Sequence, residues 1–470
     1  MLILIFGALA LLFGYLFYSR VLQRAFLPFR NPTPAMTMTD NVDYIPMSRW
    51  KNQLIELLNI AGTGPIFGAL MGAKWGPIVF LWIIVGTILG GAVHDYMSGM
   101  MSVRHGGESL TKLITQYLGK HLRYPMLILL VFLMIMVSAT FAKSASDLLV
   151  SITDLPMIVW MVLILAYFVA STLLPINKLI GKIYPVFGVM LICMAVVVVG
   201  GLFMGDYTFP SMTLENLHPD GTEFFPDMFI TVACGAISGF HATQSPMVAR
   251  CITDEKDGRM IFYGAMVIES MIALIWALAG LTFYGDTSAL AAALADGGSA
   301  GVVYDIAVGV AGPVGSVLAV LGVIVCPITT GDTALRSARL MVQDDRGIDN
   351  SDMKSSLIIT GALMVVIIAF TTFDFSVLWN YFSWINQTLA CIVLWTATAF
   401  LLKTMQNKLY SLLTAAPALF MVLVTTSFFF HSKQFLGLDH SISLMLAALI
   451  GAAALITYLW AFNKARKNSE

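Results

Sequence analysis

A-C-G-A-I-S-G-F-H-A-T-Q-S-P-M-V-A-R, residues 233–250, decides how this chain must be read. The stretch lies in a segment apolar enough to cross a bilayer, yet Gly239, His241, Thr243, Gln244, Ser245 and Pro246 interrupt its middle. Hydrocarbon offers no water to a freed N–H or C=O, and proline removes one helical donor. Such an interruption is tolerated only where the loosened backbone faces protein, a cavity or a ligand. Secondary transporters build their binding sites at mid-membrane from discontinuous helices of this kind. The alternative is a proline-kinked helix whose polar groups are held by neighbouring helices, and a partner elsewhere in the chain decides between the two.

That partner is Asn59-Ile60-Ala61-Gly62-Thr63-Gly64-Pro65, which again sets small residues, a polar side chain and proline in mid-span. Apolar runs of about 20 residues fall at 1–19, 52–71, 76–100, 125–150, 157–174, 184–204, 226–249, 260–283, 313–342, 355–372, 376–402, 409–430 and 441–462, giving about thirteen spans. The first carries no basic residue before its apolar run and is followed by Arg20, Arg24 and Arg30, so it reads as a retained helix with its N-terminus outside. Threading from there sends 23 of the 26 lysines and arginines to the cytoplasmic side, leaves Lys74 and Lys433 outside, and puts Lys143 within a span. The asymmetry supports the threading.

The composition agrees. With 58% apolar residues, 11% charged residues and a mean hydropathy of +0.84, a soluble chain is excluded. A net charge of −1 with no basic stripe excludes a nucleic-acid partner. The partners implied are the lipid bilayer and a small-molecule substrate. The cysteines, Cys193, Cys234, Cys251, Cys326 and Cys391, have no C-x-x-C spacing and read as small packing residues. The outer loops are acidic, and 284–311 reads as a solvated outer cap with a short re-entrant or amphipathic element.

The two broken helices run in opposite directions, and five spans separate one start from the other. An inverted repeat follows: 1–51 as an N-terminal helix and linker, 52–204 as the first repeat, 205–225 as an outer loop, 226–402 as the second repeat, and 403–470 as two peripheral helices with a short cytoplasmic tail. The third helix of each repeat carries charge and hydroxyls, in Ala139–Asp147 and in Ile328–Arg339. At the breaks, half-helix N-termini suit an anion and C-terminal carbonyls suit a cation. Thr63, Gly64, Gly239, His241, Thr243 and Gln244 are therefore candidate substrate residues, with Lys143 available to a carboxylate. The coupling ion, Na⁺ or H⁺, is expected at carbonyls near Ala61 and Gly62, with Thr329, Thr330 and Thr333 opposite. Asp332, among these threonines, can bind Na⁺ or carry a proton. No other metal and no cofactor is expected.

Other charges at depth leave alternatives open. His94 and Asp95 are candidate gating charges, or an inner-end salt bridge to Arg104. Lys143 pairs with Asp147 at i,i+4 or serves the site. Glu269 is a candidate gating charge or a structural hydrogen-bond partner. Asn386 and Gln387 are expected to bridge helices. A membrane redox enzyme using His94, Asp95 and His241 lacks the usual catalytic motifs, and a transport-derived sensor lacks a recognisable signalling domain.

N-I-A-G-T-G-P-I (59–66), G-G-A-V-H-D-Y (90–96), T-V-A-C-G-A-I-S-G-F-H-A (231–242), Y-G-A-M-V-I-E-S (263–270), T-A-L-R-S-A-R-L-M-V-Q-D (333–344) and I-N-Q-T-L-A (385–390) resemble, in that order, the carbon starvation protein A (CstA) family of bacterial inner-membrane transporters. The resemblance implies a LeuT-like member of the amino acid–polyamine–organocation (APC) superfamily, all-α and polytopic, with one extra N-terminal and two extra C-terminal helices. It also implies cation-driven import of pyruvate or small peptides during nutrient limitation. Two departures stand out. Ile55 and Glu56 occupy the positions of a His-His pair in longer members, and Thr243-Gln244-Ser245-Pro246 replaces a serine- and threonine-rich continuation.

Overall fold

Apolar runs of 20 or more residues with small side chains at close approaches produce a bundle of helices packed along their lengths. The structure, a computed structural model, describes residues 2–26, 32–40, 43–173, 180–349 and 352–467. Arg30 and Lys178, both used in the threading, lie outside these. Among the described residues ten helices are long and apolar enough to span a membrane, and eleven when a bent pair is taken as one. The chain is a multi-pass membrane protein.

The helices are α1 (Leu2–Phe26), α2 in two halves (α2a, Arg49–Ile60; α2b, Gly64–Trp75), α3 (Ile78–Arg104), α4 (Arg123–Val150), α5 (Met157–Leu173) and α6 (Ile180–Met204). There follow α7, again in halves (α7a, Asp227–Thr231; α7b, His241–Ala249), α8 (Glu255–Tyr284), α9 (Thr287–Arg346), α10 (Met353–Thr371), α11 (Phe375–Thr404), α12 (Lys408–His431) and α13 (His440–Lys467). Each expected span is matched by a helix or a pair of half-helices. The fold is the LeuT-like 5+5 arrangement, α2–α6 and α7–α11 each opening on a broken helix, with α1 before and α12 and α13 after. The third helices of the two repeats, α4 and α9, lie along one another.

One expected loop differs. Residues 284–311, read as an outer cap, form the helical start of α9, and Thr287–Gly312 is itself long and apolar enough to span. Glycines at 298 and 312, with φ of +63° and +64°, break this run into segments. Its alanine-rich composition explains the helicity, because alanine is the best helix former. Asp286 caps its start by accepting from the Ala289 N–H at 2.8 Å.

The basic loops gather at one end of the bundle, where Arg104 meets Glu255 at 3.6 Å, Arg250 meets Asp344 at 3.4 Å, Arg336 meets Asp43 at 3.8 Å and Arg123 meets Asp345 at 2.7 Å. At the opposite, acidic end, the Trp75 indole donates to the Thr222 carbonyl at 3.0 Å, and Thr287 donates to the Leu217 carbonyl at 2.7 Å.

Candidate functional site

The two breaks touch each other in the middle of the bundle. At the first, α2a and α2b meet at 58° across Ala61-Gly62-Thr63. A side chain on Gly62 would collide with the Phe141 ring at 2.4 Å, and one on Gly64 would lie 2.2 Å from Cys234 Cβ. Gly235 adopts a φ of +91° opposite Pro65, whose Cα would be 3.4 Å from an added Cβ. Gly62 leaves room for the Phe141 ring, and at Gly64 and Gly235 the two broken segments pass too close to admit a side chain.

The carbonyls and amides freed at the second break find specific partners, as burial in an apolar bundle demands. Trp82 on α3 donates to the Val232 carbonyl at 3.0 Å, and Thr87 to the Gly235 carbonyl at 3.1 Å. Asn386 on α11 accepts the Phe240 N–H at 2.6 Å and the Ser238 hydroxyl at 3.2 Å, while its backbone carbonyl accepts the Gly239 N–H at 3.2 Å. Gln387 donates to the Phe229 carbonyl at 2.5 Å. Asn386 and Gln387 therefore bridge, as expected. Gly239 does not: its missing side chain lets the chain lie on α11, 2.3 Å from the Ala390 nitrogen at the Cβ position, so it packs instead of facing a substrate.

A buried carboxylate–imidazole network underlies this break, drawn from α2, α3, α7 and α8. Asp95 pairs with both histidines, its Oδ1 2.8 Å from His94 Nδ1 and its Oδ2 2.9 Å from His241 Nδ1. The other nitrogen of His241 faces Glu269 Oε2 at 3.5 Å. Ser245 donates to Glu56 Oε1 at 3.2 Å. All five ionisable groups are fully buried, and Glu56 Oε2 and both Glu269 oxygens lack a hydrogen-bond partner. The pairing of Asp95 with Arg104 that sequence left open is not formed; Arg104 turns to Glu255 instead.

Cys234, His241 and Glu269 each place a ligand-type atom within 4.8 Å of the others. His241 Nδ1 is bonded to Asp95 while its Nε2 faces Glu269 without a hydrogen bond, and the Cys234 thiol contacts the Ser238 hydroxyl at 3.4 Å. The set lies beside the Asp95 network, with Glu269 as its unbonded end.

The remaining candidates divide. Thr329 and Thr330 face the first break, as expected, but their hydroxyls donate to the Leu58 carbonyl at 3.0 and 3.2 Å. Thr333 bonds back to the Thr329 carbonyl at 3.0 Å. Asp332 is turned away: a helix advances about 100° per residue, which sets it on the far side from Thr330, where it accepts the Tyr184 hydroxyl at 2.8 Å. Lys143 is not brought to the breaks, because its ammonium donates to the Phe373 carbonyl at 2.7 Å. Thr243 donates to the Phe240 carbonyl at 2.6 Å, and Gln244 reaches Thr243 at 2.9 Å and Ser337 at 3.4 Å. Thr63 is buried with its hydroxyl unpartnered.

Buried polar atoms without partners also include Asn59 Oδ1 on α2 and Trp379 Nε1 and Ser383 Oγ on α11. These, with Glu56, are what sequence reasoning passed over. The sequence marks Glu56 only as the occupant of a His-His position, because its place near the start of the second span reads as a solvated end. A cavity of about 270 Å³ opens at the acidic end and is lined by Thr231, Trp379 and Ser383 together with Lys74, His218 and Asp227. Toward the basic end the space beside Thr243, Pro246 and Ser337 shrinks to about 20 Å³. There Arg250 donates to the Gly107 carbonyl at 3.0 Å, pairs with Asp344, and lies 5.2 Å from the Tyr44 ring. A larger cavity of about 660 Å³, walled by Trp82, Phe229, Pro417 and Phe420, is apolar and has no group to orient a charged solute.

Comparison with known proteins gives concordant results. A family profile described as carbon starvation protein CstA matches residues 1–218, 145–295 and 285–428. An "Uncharacterized membrane protein" of Haemophilus influenzae is 38% identical over 62% of this chain and 94% of its own length. The "Peptide transporter CstA" of Helicobacter pylori and the "Pyruvate/proton symporter BtsT" of Escherichia coli are each 27% identical over 56% of this chain. The chain spans about half the length of these two relatives, 48% and 46%. Among solved structures, MhsT in complex with L-phenylalanine superimposes with a TM-score of 0.59 at 13% identity, covering 81% of this chain and 99% of that one. A manganese transporter of Eremococcus coleocola does so at 0.52 and 14%, covering 92% and 99%. At these identities the shared feature is the fold.

Proposed function

The chain belongs to the carbon starvation protein CstA family, and from that premise we propose that it is a secondary active transporter importing a small carboxylate such as pyruvate, or a short peptide, with a coupling cation. The observation that carries the reading is the contact of two oppositely directed broken helices at mid-bundle. A polar cavity lies on one side of that contact and a set of ion pairs closes the other. Alternating access is then a rocking of the repeats about the breaks. In this reading the substrate enters by way of Trp379 and Ser383 and meets Thr63, Gly64 and the unpartnered amide oxygen of Asn59, with His241, Thr243 and Gln244 on its far side. Arg250, Asp344, Asp43 and Arg336 form the closed gate.

The coupling cation is a proton in this proposal. Two buried acidic positions are available to a proton, Asp332 against Tyr184 and the network at the second break. No cofactor or catalytic residue is invoked, and the substrate leaves chemically unchanged. In this proposal the protein lies in a bacterial inner membrane with its basic end and C-terminus in the cytoplasm and its N-terminus outside, a reading supported by the positive-inside distribution.

The test is uptake of labelled pyruvate and of labelled dialanine into proteoliposomes under separate pH and Na⁺ gradients. Accumulation of one of them under the pH gradient is expected. Neither accumulation nor exchange of either solute would refute the reading.

A further inference from the structure

We propose that the network at the second break is a proton-binding site in which the exchangeable proton is held between His241 Nε2 and Glu269 Oε2. Its loading and release would couple substrate passage to the proton gradient. The inference rests on the transport reading above and assigns the coupling ion to particular atoms.

Glu56, Asp95 and Glu269 come within one buried cluster with two imidazoles, and the ion-pair partners of Asp95 and Glu269 among the described residues are those imidazoles. Three ionised carboxylates outnumber two rings even when both rings are cationic, so an uncharged cluster requires at least one protonated carboxyl. Net charge buried within a span is costly unless it is paired or hydrated. The closed, dry state therefore favours protons on this cluster, and opening toward water allows them to leave.

Hydrogen-bond geometry then selects the place. Both oxygens of Asp95 are engaged by Nδ1 atoms, one from each histidine. A carboxylate oxygen only accepts, so each Nδ1 carries its hydrogen. In a neutral ring that leaves Nε2 bare. His241 Nε2 then faces Glu269 Oε2 at 3.5 Å with no hydrogen between two acceptors unless one further proton sits there. With it, the pair is either a carboxylic acid facing a neutral ring or a carboxylate facing an imidazolium. Without it, two lone pairs oppose each other in a dry site. Glu56 is the cluster's other carboxyl with an unpartnered oxygen, and it is tied to the break through Ser245, whose one hydroxyl hydrogen is shared between Glu56 Oε1 at 3.2 Å and the His241 carbonyl at 3.0 Å.

The groups that face the pair come from every neighbouring helix: Glu56 from α2, His94 and Asp95 from α3, Cys234 from the α7 break and Cys326 from α9. Position completes the case. His241 opens α7b, and Gly64 of the other break packs on Cys234. A proton added or lost at His241 therefore acts on the segment that must move.

The discriminating variant is Glu269→Gln, which keeps the shape of the protonated acid and cannot release the proton. In proteoliposomes loaded and assayed with labelled pyruvate or dialanine, it is expected to continue substrate exchange at zero gradient. Accumulation under an inward pH gradient should fall at least about tenfold from wild type, with the pH dependence of exchange flattened. Accumulation as steep as wild type, or wild-type accumulation driven by Na⁺ at equal pH, overturns the proposal. If the wild type neither exchanges nor accumulates either solute, the transport reading itself fails; if only the variant behaves as wild type, this assignment alone fails. A measurement independent of the variant uses purified wild-type protein in weakly buffered detergent with a pH indicator. Addition of the transported solute between about pH 5.5 and 8 should move protons, and no proton movement across that range overturns the assignment even if Glu269→Gln cannot be purified.

Discussion

Gly64→Ala is the sharpest test of how the two breaks meet. The added Cβ would lie 2.2 Å from Cys234 Cβ and 2.5 Å from its Sγ, whereas ordinary contacts begin at 3.4 Å. Neither partner can rotate out of the way, because both clashing groups include a Cβ fixed by the backbone. The broken helices must separate by about 1 Å, a displacement large enough in a preorganised site to cost up to about 10²-fold in function. Overpacking of a close core contact costs about 1–3 kcal/mol. The expected result is a lower thermal midpoint in detergent and a 10- to 100-fold loss of uptake, by the same ~10²-fold argument. The pattern of rescue matters more than the loss. Cys234→Ala removes Sγ but keeps the Cβ at 2.2 Å and should not restore Gly64→Ala. Cys234→Gly removes the clashing atom and should restore part of the activity, less about 1 kcal/mol for a more flexible chain. Equal rescue by alanine and glycine, or a neutral Gly64→Ala, would refute the contact.

Other outcomes follow from the same geometry. Asn386→Ala strands the buried Phe240 N–H and Ser238 hydroxyl, so thermal unfolding should show a loss of about 1–3 kcal/mol. Asp332→Asn should keep pH-driven accumulation, since Asp332 bonds Tyr184 away from the first break; loss of accumulation with retained exchange would move the coupling proton to Asp332. In the outer loop, burial and the nearby Lys74 ammonium hold the His218 pKa below its ordinary value. A lowered histidine pKa means that the folded form prefers the neutral ring, so its contribution is complete above about pH 6.5 and is lost as pH falls through the lowered value. Proteolysis of the 205–226 loop should therefore speed up on acidification, and less so in high salt. His218→Gln should flatten that pH response.

The span pattern, the positions of both breaks and the opposed repeats were legible in the sequence because they depend on local chemistry. Runs of apolar residues set length, Gly and Pro set interruptions, and Lys and Arg mark loop ends. The amides at 386 and 387 were legible as bridges for the same reason: an amide in a bilayer must find a partner.

What tertiary structure alone decided is which buried groups meet. Asp332 and the threonines beside it are neighbours in the chain, yet helical rotation sends them to different partners. Lys143 lies in the right span and reaches a carbonyl at its periphery. Glu56, Asp95, His241 and Glu269 come from four segments up to 213 residues apart in number, and no local periodicity announces that they converge. Sequence fixes how costly each charge is in a membrane; only the packing of α2, α3, α7 and α8 determines that they share that cost as one network.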